Sequence, residues 1–141
     1  MRASAFLVCT LLATLVALVG CATTAAGQAS VEVSCDDFAT RNEIESEVGI
    51  NAGETLQVSL CANPTTGFVW EDAEIANPDI LQQVERRFVA PTGDRAGAPG
   101  SEVWTFKGLA KGTTSVSMSY SRPWEGGEKG QWRFNLTVTV R

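Results

Sequence analysis

The chain has no histidine, and its 11 Lys and Arg are outnumbered by 16 Asp and Glu, for a formal net charge of −5. Without imidazole, the ordinary Ser-His-Asp and Cys-His arrangements and every histidine metal site are excluded. A mild acidic excess with no cluster of Lys and Arg argues against a nucleic-acid partner. No loop of alternating Asp and Asn closing on a Glu is present to hold calcium. The carboxylate pairs Asp36 with Asp37 and Glu71 with Asp72 are adjacent in the chain. On a strand, neighbours point to opposite faces, so neither pair converges for acid and base work. The expectation is a protein that is not an enzyme and needs no cofactor and no metal. There is also no internal repeat and no long helical pattern.

One continuous apolar run stands out, "AFLVCTLLATLVALVG" from Ala5 to Gly20, just after Met1 and Arg2. It is too short for a confident membrane span and reads as a secretory leader, residues 1–20. Its end, "LVGC" at Leu18 to Cys21, resembles the bacterial lipobox, in which the leader is cut before a cysteine that then carries lipid. The alternative is a plain signal peptide cut a few residues later, near "AAGQAS". With lipid at Cys21, the protein is exported and anchored on the outer side of the bacterial cytoplasmic membrane or cell envelope. Residues 21–30, small and polar, then form a flexible tether ahead of a domain spanning 31–141. Cys9 leaves with the leader and Cys21 is the anchor, which leaves Cys35 and Cys61 to form one disulfide in an oxidising compartment. Strict alternation turns Cys61 outward if Leu56, Val58 and Leu60 face inward, so the bridge is expected to tack the N-terminal segment along a sheet edge or end.

Beyond the tether the period is two. "TLQVSL" sets Leu56, Val58 and Leu60 on one face; "TTSVSMSY" sets Val116, Met118 and Tyr120 against hydroxyls; "WRFNLTVTV" sets Trp132, Phe134, Leu136, Val138 and Val140 on one face. "FVWEDAEI" and "EVWTFKGL" fit the same template less cleanly. "ILQQVERRFV" is ambiguous, with Ile80, Val84 and Phe88 on one strand face but Leu81, Val84 and Phe88 also suiting a helix; the flanking "NPD" and "APTG" favour a short turn and then a strand. "EIESE", Glu43 to Glu47, reads as solvated surface. Seven or eight half-buried antiparallel strands with frequent Gly and Pro punctuation predict an all-β, immunoglobulin-like β-sandwich.

Three connections have unusual composition: "NPTTGF" at 63–68, the segment 91–102 ending "GAPGSE", and "SRPWEGGEKGQ" at 121–131. In a sandwich, alternate connections emerge at one end, so the three are expected to share a surface. Asn63, Pro64 and Gly67 are turn residues, but a turn alone gives no reason for Thr65 and Thr66, whose hydroxyls suit a polar cleft. Trp124, between Pro123 and Glu125 and just before two glycines, has few strand neighbours to bury it and suits a binding anchor.

"NPTTGF", a Gly-rich "GAPGSEVWTFKGLAKGT" and "YSRPWE", in this order and from about Gly49 to the C-terminus, resemble the chagasin family of inhibitors of papain-like cysteine peptidases. The resemblance implies a monomeric, reversible, non-covalent inhibitor whose partner is a papain-like cysteine peptidase. The peptidase-binding residues it implies are Asn63, Pro64, Thr65, Thr66, Gly67 and Phe68; Gly97, Ala98, Pro99 and Gly100; and Arg122, Pro123 and Trp124. Thr65 and Thr66 would lie beside the catalytic thiol, and Trp124 would pack on an aromatic surface of the enzyme. The family's usual Gly-x-Gly-Gly is "GAPG" here, with Pro99 where glycine is expected. The competing reading is an anchored sandwich that binds glycan or another ligand through Trp124 and the loop hydroxyls.

Lipid at Cys21 makes a direct prediction. The Cys21→Ser chain should partition into the aqueous phase of a detergent extraction, whereas the unaltered chain should stay with the detergent.

Overall fold

The computed structural model describes residues 27–141. The leader, Cys21 and most of the tether lie outside the described residues. The elements are β1 (Gln28–Val33), α1 (Cys35–Thr40), β2 (Glu43–Ile50), β3 (Thr55–Ala62), a 3₁₀ turn (Pro64–Thr66), β4 (Val69–Trp70), β5 (Glu74–Ile75), β6 (Leu81–Val89), β7 (Gly100–Gly108), β8 (Gly112–Ser121) and β9 (Trp132–Val140). One sheet has the order β1-β3-β7-β6; the other has β2-β9-β8-β4, with β5 also pairing β8. This is an immunoglobulin-like sandwich. Gln28 to Ser30, expected in the tether, already belong to β1.

The inward residues of β3, β8 and β9 are those that alternation picks out: Leu56, Val58, Leu60, Val116, Met118, Tyr120, Phe134, Leu136, Val138 and Val140 are all buried. β7 adds Trp104 and Phe106, so the two inner faces close an apolar core between them. Two expectations change. The sheets are mixed rather than antiparallel, because β1 pairs parallel to β3 and β2 parallel to β9. Period-two alternation reports which face a residue occupies and carries no information on strand direction. The segment "EIESE" is also part of a strand, β2, with Ile44 and Ile50 buried. Its glutamates are exposed, and on an edge strand their charge discourages pairing with another chain.

β6 forms as a strand, but its inward face differs from the one predicted. A bulge between Gln83 and Glu85 shifts the register against β7 and flips the parity of the residues beyond it. Leu81, ahead of the bulge, is the buried residue; Val84 stands at the bulge and is 51% exposed, and Phe88, beyond it on the same side as Arg86, is 43% exposed near the strand end. The shift points Arg86 inward over the Trp104 ring, 5.2 Å from its centroid. Its guanidinium donates to Glu102 at 2.8 Å, to Asp72 at 3.0 Å and to the carbonyl of Trp70. Asp72 follows β4, so this half-buried cation clips the two sheets together along their open side.

At the opposite edge, α1 plugs the sandwich end. Ser34 and Asp37 form a capping box: the Asp37 N–H donates to the Ser34 hydroxyl at 3.2 Å, and the Ser34 N–H donates to the Asp37 carboxylate at 3.0 Å. The hydrogen bonds from the Ser34 side chain and then its backbone hold the Asp37 carboxyl below its ordinary pKa. Phe38, 2% exposed, stacks on Trp132 at 4.8 Å and leans on Trp70 at 5.5 Å. The Cys35–Cys61 disulfide joins the start of α1 to the end of β3. In the chain-entropy account, closing a loop of this size stabilises the fold by roughly 3–4 kcal/mol. The bridge thus sits at a sheet end, as alternation suggests. Cys61 itself is only 3% exposed, because the helix covers the outward side of β3 there.

A six-residue helix has no stability of its own, so its place depends on Phe38 and the disulfide. Phe38→Ala should cost about 3–5 kcal/mol in denaturant unfolding, the usual loss for a buried phenylalanine.

Candidate functional site

Three connections meet at the sandwich end where β3 stops and β7 starts, since Ala62 pairs with Gly100. The first is the turn 63–67, and Asn63 organises it. Its side-chain oxygen accepts from the Thr65 hydroxyl at 2.6 Å and the Thr65 N–H at 3.3 Å. Its backbone carbonyl accepts from the Thr66 hydroxyl at 2.7 Å and the Thr66 N–H at 3.1 Å. Its own N–H donates to the Tyr120 hydroxyl at 2.8 Å. Pro64 occupies the first turn of the 3₁₀ segment and Gly67, at φ +82°, ends it in the left-handed region. The hydroxyls of both threonines are therefore committed to the turn itself, contrary to the expectation that the turn gives them no role. Pro64, Thr65 and Thr66 remain exposed as a narrow, stiff tip.

The second connection is tied to the first by the Asn63 side-chain amide, which donates to the Gly97 carbonyl at 3.0 Å. Gly97 takes φ +76°, and the Ala98 N–H donates to the Arg95 carbonyl at 3.3 Å. Pro99 is exposed beside Asn63 and Phe68 on the rim of a shared cavity, and Gly100 already belongs to β7. The third connection folds back on itself. The Arg122 N–H donates to the Glu128 carbonyl at 2.8 Å, and the Lys129 ammonium donates to the carbonyls of Arg122 at 2.6 Å and Trp124 at 3.4 Å. Lys129 escapes a motif-based reading, because only its fold-back onto its own loop gives it a role.

Beneath the three connections the aromatic rings form a continuous stack. Phe38 lies on Trp132 at 4.8 Å, Trp132 on Tyr120 at 4.7 Å and Tyr120 on Phe68 at 5.5 Å. The Arg122 guanidinium then covers Phe68 at 4.5 Å and faces the Trp124 ring at 5.9 Å. Phe68 is 9% exposed and supports the tip from below rather than facing outward with it. Trp124 is 52% exposed, as its neighbours in the sequence suggest, and Pro123 beside it is exposed too.

A cavity of about 470 Å³ opens beside the tip between Asn63, Phe68, Pro99, Trp132 and the two bridged cysteines. Its walls are chiefly apolar, with Phe68, Tyr120 and Trp132 among them. Among the described residues no group of His, Cys, Asp and Glu is placed to hold a metal ion. Asp37 caps its own helix and Asp72 pairs with Arg86, so one carboxylate of each adjacent pair has a structural partner. The site offers a rigid tip flanked by two braced loops.

The Chagasin family peptidase inhibitor model matches residues 49–138. The chain belongs to the chagasin family. It is 33% identical over 90 residues to chagasin of Trypanosoma cruzi, an alignment covering 62% of this chain and 82% of that protein. The crystal structure of the cysteine protease inhibitor EhICP2 from Entamoeba histolytica superposes with a TM-score of 0.64 at 23% identity, over 81% of this chain and 97% of that one. PbICP-C, solved in complex with falcipain-2, superposes at 0.60 and 19% identity, over 80% and 99% of the two chains. These two structures show a shared fold. The relatives are protease inhibitors and not enzymes. β1, α1 and most of β2 precede the family match.

The close approach of Gly67 to Trp124 gives a sharp test of the site's packing. A Cβ at Gly67 would lie 2.8 Å from the Trp124 ring, and the residue is already at positive φ. Gly67→Ala should therefore lower stability by about 1–2 kcal/mol. It should also move the Trp124 indole N–H resonance, with the resonances of Trp70 and Trp104 unshifted.

Proposed function

We propose that the protein is a reversible, non-covalent inhibitor of papain-like cysteine peptidases that blocks the active-site cleft with loops 63–68, 91–102 and 121–131. The observation that carries this reading is the pre-ordered tip. With the Thr65 and Thr66 hydroxyls already bonded to Asn63, the tip enters a cleft without freezing new torsions. Thr65 and Thr66 then stand at the catalytic thiol, presenting a closed turn in place of an extended scissile peptide. Trp124, half exposed and backed by Arg122 and Gly67, supplies an aromatic anchor on one side. Gly97 to Gly100 flank the tip on the other side, where Pro99 replaces backbone freedom with a fixed φ and narrows the ways that loop can lie along an enzyme. Three loops of this kind can cover a contact of standard protease-inhibitor size, on the order of 1,600 Å² in total.

The same reading places the protein outside the cytoplasm, held by lipid on Cys21 with the leader removed, and acting as a monomer. Its contact loops lie on the described domain, so a tethered inhibitor reaches a peptidase at the cell envelope without dissociating from the membrane.

Titration against papain and a cathepsin-L-like peptidase, with trypsin as the control, tests the reading. Tight, reversible inhibition of the cysteine peptidases alone is expected. Thr65→Arg with Thr66→Arg should abolish it; the loss of both hydroxyl bonds to Asn63 should lower the melting temperature modestly, while the sandwich, which neither exposed side chain helps to pack, stays folded. A folded protein that leaves both cysteine peptidases fully active would contradict the proposal and favour a glycan or other envelope ligand at Trp124.

A further inference from the structure

A covalent crosslink touches the loop end, and it is open to attack. Cys35 and Cys61 both line the cavity beside the tip, together with Asn63, Thr66, Phe68 and Pro99. Cys61 is 3% exposed, whereas Cys35 is partly exposed. Neither cysteine lies in the three loops themselves, yet the bridge lines the same cavity as the tip. We propose that the Cys35–Cys61 disulfide is a thiol-sensitive switch that sets the order of the tip, and, on the inhibitor reading above, the affinity for the peptidase.

The chemistry requires a small thiol of the glutathione class. Its thiolate enters the cavity and attacks Cys35 Sγ, forming a mixed disulfide, while the S–S electron pair leaves on Cys61 Sγ, which takes up a proton. A second thiolate attacks the external sulfur of the mixed disulfide. Cys35 departs as thiolate and is protonated, so that two small thiols become one external disulfide and the protein gains two electrons and two protons. The mechanical consequence comes through the stack. α1 is six residues long and is held by this bond, its cap and Phe38. Once the bond opens, Phe38 no longer braces Trp132, which in turn braces Tyr120, whose hydroxyl receives the Asn63 N–H. Binding and oxidation are then linked reciprocally: a partner that binds the oxidised form about tenfold more tightly must lower the disulfide's potential by about 30 mV in the complex.

Amide hydrogen exchange on the purified protein in glutathione buffers, oxidised against reduced, tests the switch without any peptidase. Reduction should speed exchange at Asn63 by at least about tenfold, with Val116 at the centre of β8 unchanged. Equal rates at Asn63 in both states overturn the proposal, and so does an equal rise at Asn63 and Val116, which means global unfolding. Cys35→Ala with Cys61→Ala should show the fast Asn63 rate and no response to glutathione; a response would place the effect elsewhere. Binding to papain with alanine in place of its catalytic cysteine supplies the functional arm, with affinity about tenfold lower expected for the reduced protein. Equal affinity of both forms overturns the link to binding. If neither form binds while the Asn63 difference holds, the switch stands and the peptidase reading fails.

Discussion

The backbone N–H of Asn63 donates to the Tyr120 hydroxyl, and the rest of the loop end is arranged around that bond. Tyr120 is the middle ring of a stack that runs from Phe38 of α1 to Arg122 and Trp124 of the last connection. Asn63 uses its remaining polar groups to hold Thr65, Thr66 and Gly97. One residue therefore connects the core to the tip and the tip to its neighbouring loop. The stack contributes in two ways, through buried aromatic area and through ring-on-ring geometry that fixes direction. A tip built only of turn residues would have the right shape; this one is also anchored at a fixed angle to the sandwich.

The sandwich supplies the rigidity behind the tip. Arg86 clips the sheets along one open side, and the Cys35–Cys61 bridge with Phe38 closes the end nearest the loops. The elements that close that end, β1 and α1, precede residues 49–138, which the family model matches, while the superposition on EhICP2 covers 81% of this chain and so reaches beyond that segment. Residues 49–138 carry the three loops proposed to meet a peptidase, and β1 and α1 brace them from outside that segment.

Much of this was legible in the residues because period-two alternation is a direct consequence of strand geometry. It picks out the inward faces of β3, β8 and β9, and the crowding of Pro, Trp and Gly after Ser121 announces an exposed Trp124. Other features depend on distant partners and leave no local trace. The parallel pairings of β1 and β2 are set by which edge remains free once the hairpins form. The inward turn of Arg86 comes from a bulge at Val84, which a strict alternation cannot contain. The threonine hydroxyls carry the same lesson at the site: the residue types suggest a polar contact, yet their bonds to Asn63 make them part of the scaffold. Cys61 is outward by parity and buried in fact, because a helix that begins 26 residues earlier, at Cys35, lies over it.

On the inhibitor reading, a pre-ordered tip occupies the catalytic cleft of a papain-like peptidase. Alkylation of papain's catalytic thiol by iodoacetamide, followed by intact mass with and without a saturating excess of the protein, tests it most directly. The bound enzyme's thiol should escape alkylation and become reactive again on dissociation. A complex that forms, yet whose catalytic thiol is alkylated at the free enzyme's rate, would place the contact away from the cleft and contradict the account.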